Sequence, residues 1–350
     1  MSRIVIMAGV GGAGTTSLVD ATVRDARSTG ASVRSIDAAE PQRSLALDLS
    51  ALVSATIGSM AVSSGADRLA PEAWASLPGV RILAVLDEMR RACLEEDVVV
   101  VDAGSLVTLR ELLELPHVLL RLLDASLTPR SAMARPDSGA LFDSLSEARL
   151  QVLHLQSVLT SDSTSVRLVG RAEADGIDPV VAAAGTASLL GLTVDGVILA
   201  RFPRRRDGAS DRVRKQARRV EAVLQAALLH VPVWRSSDRP RSAPKGRAVL
   251  DVLAPANAVA PLGEPVTAGD GYRWDLRMPG EVAQRVRAGT QGGALVLECR
   301  GVHRWLELPA VLKRCVAVDG ERTEAGLSLR WVPDADVWPR ADRKERGVDE

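Results

Sequence analysis

Near its amino terminus the chain carries Gly9-Val10-Gly11-Gly12-Ala13-Gly14-Thr15-Thr16, the one stretch whose residue types and spacing point directly to chemistry. Glycines spaced as GxxxxG let successive backbone N–H groups turn toward a single anion. A lysine after the last glycine bridges the β- and γ-phosphates of a nucleotide, and the Ser or Thr that follows holds magnesium. Such a loop works only between a strand and a helix, because the helix N-terminus adds unpaired N–H groups and a partial positive charge. That context is present: residues 3–8 form a short apolar run and residues 16–28 read as a helix. The spacing is kept and Thr16 supplies the magnesium hydroxyl. Thr15, however, stands where the lysine belongs.

The elements needed to hold such a loop follow along the chain. Residues 32–37, 97–102, 165–170 and 194–199 are short β-branched or aliphatic runs, separated by segments long enough for helices, and residues 230–234 follow an arginine-rich helix at 210–229. This alternation predicts an α/β domain over 1–253, a mostly parallel sheet covered by helices on both faces. A Pro/Ala/Gly-rich stretch at 254–271 reads as a linker. Beyond it, alternating runs at 272–278, 294–300, 305–308 and 327–332 predict a small antiparallel β-sandwich over 272–333, and 334–350 is a charged tail.

The bulk properties exclude several classes. Lys+Arg and Asp+Glu are equal at 44 each, so net charge points to no nucleic acid and no anionic membrane. Cys93, Cys299 and Cys315 are far apart with no CxxC pair, which fits a reduced, cytoplasmic chain. The apolar stretch 112–123 is interrupted by Glu114, Pro116 and Arg121 and falls short of the about 20 residues a spanning helix needs, so no transmembrane segment is expected.

The glycine run resembles GKGGVGKTT, the deviant loop of the arsenite-pump and tail-anchored-protein-targeting ATPases, with Val10 and Thr15 at the two lysine positions. The resemblance continues. Ser35-Ile36-Asp37-Ala38-Ala39 with Ser44-Leu45 is similar to the family's first switch. Val98 to Asp102, followed by Thr108-Leu109-Arg110-Glu111-Leu112-Leu113-Glu114-Leu115-Pro116, resembles its second. The stretches 159–169 and 191–202 resemble its late strands, and 272–331 resembles the α-crystallin-like module of many bacterial members. By resemblance, Asp37 orients the attacking water and Asp102 lies on the magnesium side with Thr16. Residues Gly9, Val10, Gly11, Gly12, Ala13, Gly14, Thr15 and Thr16 would surround ATP or ADP. Ala200 replaces the asparagine that contacts adenine.

The family's first lysine reaches the partner's phosphates across a dimer, and neither Val10 nor Thr15 carries charge. Losing a donor aimed at transition-state charge costs about 3 to 4 kcal/mol, or ~10² to 10³ in rate. The expectation is a degenerate, non-hydrolysing or weakly nucleotide-binding subunit, paired with itself or with an intact paralogous ATPase. Two alternatives stand beside it: an active ATPase driving anion export or membrane-protein targeting with another cation, and a nucleotide-free scaffold or regulatory protein. No zinc and no metalloid site is expected, because the family's cysteine arrangements are missing.

Three further features have plainer readings. Phe142, Leu145, Leu150, Leu153, Leu155 and Leu159 fall partly at helical spacing and could line a groove for a hydrophobic protein client, but a buried core face explains them as well. Arg201, Arg204, Arg205, Arg206, Arg212, Arg214, Lys215, Arg218 and Arg219 read as a solvated helix face, there being no aromatics among them. His117, His154, His230 and His303 lack metal-ligand spacing.

Overall fold

The structure is a computed structural model that describes residues 2–40, 79–127, 138–203, 208–228, 231–236, 264–278, 280–323 and 326–337. The chain divides between Ala260 and Pro261 into two compact units. In the first, β1 (Arg3–Gly9), α1 (Thr15–Ser28), β2 (Val33–Asp37), α2 (Val80–Glu95), β3 (Val98–Ser105), α3 (Leu106–Ser126) and α4 (Ser138–Leu159) are followed by β4 (Thr164–Arg171), α5 (Ile177–Leu189), β5 (Thr193–Ala200), α6 (Asp211–Ala227) and β6 (Val233–Arg235). The six strands pair in the order β2-β3-β1-β4-β5-β6, every pair parallel.

Successive residues of a strand point to opposite faces, and Ile4, Val5, Ile6 and Met7 are all buried, so both faces of the sheet are covered. On one face Val5, Met7, Val98, Val100, Val169, Ile198 and Ala200 pack against Leu18, Val19 and Val23 of α1. Three-layer α/β architecture is therefore present as the alternation of buried runs requires.

Toward the amino ends of the strands the same sheet buries charge. Arg167 donates from Nε and Nη2 to the two Asp195 carboxylate oxygens at 3.1 and 2.8 Å, while Arg3 reaches Asp195 at 3.3 Å and the Ser165 hydroxyl at 2.7 Å. The Arg167 and Asp195 side chains are only 3% and 5% exposed. The Arg167 guanidinium lies 5.2 Å from the Trp234 ring centroid. That ring in turn rests on Gly196, where a Cβ would come within 1.9 Å of it.

The second unit is built of β7 (Val266–Ala268), β8 (Gly271–Arg277), the short helix α7 (Gly280–Ala283), β9 (Arg287–Gln291), β10 (Ala294–Cys299), β11 (Val302–Glu307), β12 (Cys315–Thr323) and β13 (Gly326–Pro333). These form two antiparallel sheets, β12-β13-β8-β7 and β11-β10-β9, the expected small β-sandwich. Inward positions alternate, and β13 meets β8 through Leu327 opposite Leu276 and Leu329 opposite Trp274.

Three strands escape the sequence pattern. The stretch 254–271, read as a linker, contains β7 and the first residue of β8, paired as Val266 with Arg273 and Thr267 with Tyr272. A three-residue strand is too short to show a period. Strand β9 is exposed along its length, and β12 is exposed after its first residue and carries Asp319-Gly320, a turn-like pair. The latter pair accompanies a register shift between Ala317 and Asp319. Residues 338–350, most of the expected charged tail, lie outside the described residues.

Asp195 is the counter-charge for two nearly buried guanidiniums, and removing one partner of a buried ion pair leaves uncompensated charge. Asp195→Ala should cost about 3 to 5 kcal/mol of stability. Urea denaturation checks this, and a loss below about 1 kcal/mol would mean that water reaches the cluster.

Candidate phosphate-binding site

Strand β1 ends at Gly9 and α1 begins at Thr15, with five residues between them. Two glycines make so short a turn possible: Gly12 and Gly14 have φ of 75° and 82°, the left-handed region where a Cβ clashes with the backbone. The loop is pinned to the sheet by the Val10 amide, which donates to the Val169 carbonyl of β4 at 3.0 Å, and closes on itself where the Ala13 amide donates to the Val10 carbonyl at 2.9 Å. Leu18 is the first amide of α1 with an intrahelical acceptor, Gly14. The amides of Gly12, Gly14, Thr15, Thr16 and Ser17 accordingly have no acceptor among the described residues, the condition for an anion nest at a helix start.

Thr15 occupies the lysine position in an unexpected way. The residue is 6% exposed and its side chain turns back toward the end of β1, so that its Oγ1 lies 2.3 Å from where a Gly9 Cβ would stand. No described group bonds this hydroxyl. A lysine stem would leave the same point and extend outward along the loop, whereas the threonine turns back.

Thr16 and Asp102 do come together. The Thr16 hydroxyl hydrogen-bonds the Asp102 carboxylate, which also accepts the Gly104 amide at 2.8 Å. Asp102 sits in register with Met7 on one side and Asp37 on the other, which places both carboxylates at the carboxyl edge of the sheet on the α1 side of the loop. Asp37 is exposed and caps its own turn by accepting the Ala39 amide at 2.8 Å. Burial pushes the Asp102 carboxyl above its ordinary range, the Thr16 and Gly104 hydrogen bonds pull it back, and Asp37 and Asp20 push it up further.

Magnesium is held by one or two carboxylates, water and substrate phosphates rather than by an all-protein cage. The Thr16 hydroxyl beside Asp102 fits that half-site. Among the described residues no three His, Cys, Asp or Glu side chains converge as a complete metal cage. Asp20 is the contributor that sequence reading misses. It lies one helical turn beyond Thr16, a relation that matters only once β3 has placed Asp102 opposite.

The remaining candidates separate from this site. Ala200 ends β5 in register with Arg171, the last residue of β4. Arg171 is engaged by Asp175 at 2.6 Å and Glu173 at 3.8 Å. Leu145, Leu155 and Leu159 are buried, so they belong to the core, whereas Leu150 is 60% exposed; the Phe142 side chain lies outside the described residues. On α6, Arg212, Lys215, Arg218 and Arg219 are exposed and Arg214 turns back to Asp211. Ser44, Leu45, Arg204, Arg205, Arg206 and His230 lie outside the described residues. None of the three cysteines is in a disulfide. Among the described residues no helix is long and apolar enough to cross a membrane.

No family model matches the chain. It is similar to the uncharacterized protein SCO2128 of Streptomyces coelicolor, with 29% identity over 309 residues, covering 79% of this chain and 76% of that protein. The shared length exceeds that of the first unit, so the likeness reaches both units.

Because folding raises the Asp102 pKa above its unfolded value, its ionised form is the one folding disfavours. That cost is absent below the unfolded value near 3.8 and grows as pH rises through it. Asp102→Asn should therefore raise the melting temperature at pH 7, and the gain should shrink as pH falls toward 3.8. Magnesium should raise the melting temperature of the native chain more than that of the variant. Thermal scans across pH, with and without magnesium, check both.

Proposed function

We propose that this chain is a degenerate relative of the arsenite-pump and tail-anchored-protein-targeting ATPases that binds a nucleotide weakly and does not turn it over. The observation that carries the reading is the pairing of a built phosphate nest with a missing charge. Gly12 and Gly14 leave a row of amides without acceptors ahead of α1, and Thr16 is already joined to Asp102. Yet Val10 and Thr15 are neutral, and the Thr15 side chain turns back toward the end of β1. Backbone donors and a helix N-terminus suffice to hold phosphate; stabilising the charge that develops during transfer takes a cation at the outer phosphate.

On this reading the chain works in the cytoplasm as a regulatory or client-handling subunit. It pairs with a second copy or with a lysine-bearing paralogue, and its β-sandwich unit serves protein contacts. Three cysteines outside any disulfide support a reduced compartment.

Phosphate release and calorimetry on the purified chain test the proposal. Weak ATP or ADP binding with magnesium is expected, together with turnover at least ~10²-fold below that of an ordinary ATPase of about 1 per second. Val10→Lys combined with Thr15→Lys should tighten ATP binding by about tenfold or more. Turnover of the native chain near 1 per second that Asp37→Asn abolishes would overturn the proposal.

A further inference from the structure

We draw no further inference here: the strongest candidate, the exposed apolar stripe that Val107, Val118 and Leu122 form along one face of α3, carries nothing because nothing among the described residues shows what covers it.

Discussion

The hydrogen bond from the Val10 amide to the Val169 carbonyl, together with the left-handed backbone at Gly12 and Gly14, is the constraint on which the first unit turns. It obliges the chain to pass from a strand buried on both faces into a helix within five residues, and it aims the start of that helix at the edge of the sheet. The helix is also core: Leu18, Val19 and Val23 cover the strands on that face. Loop geometry and core packing are therefore properties of one element. Anything that loosens α1 on the sheet loosens the nest, and the nest inherits whatever rigidity the core possesses.

Charge is distributed unequally between the two ends of this sheet. At the amino ends Arg3, Arg167, Ser165 and Asp195 exchange hydrogen bonds and Trp234 closes over them, so the buried charges are answered. At the carboxyl ends Asp37 and Asp20 oppose the ionisation of Asp102, whose hydrogen-bond partners among the described residues are the Thr16 hydroxyl and the Gly104 amide. A protein gains nothing in stability from the second arrangement. Local energetics that run against folding are a common mark of ligand sites, and this contrast within one sheet is what motivates the proposed site at the glycine loop.

Much of this was legible beforehand. β1, β3 and β5 are buried over most of their length, and short runs of Val and Ile announce them without any alternation. The loop was legible because only glycine tolerates its backbone. What escaped notice depends on distance rather than on order along the chain. Asp20 is an unremarked polar residue on a helix until β3 brings Asp102 near it, and the backward turn of the Thr15 side chain cannot be told from a letter. In the second unit, β9 and β12 bury almost nothing, and burial is what writes a period into a strand. β7 was lost inside a composition that reads as a spacer.

Strand β12 runs along the margin of its sheet, solvent-facing over nearly its whole length, with Val316 and Val318 uncovered. A long, regular margin of that kind is a template on which further chains can accrete. The irregular step between Ala317 and Asp319 breaks the ladder midway and sets an acidic side chain just past it. Stacking of copies margin to margin into open-ended fibres is thereby discouraged, which lets the unit keep an apolar rim in water without becoming a seed for aggregation.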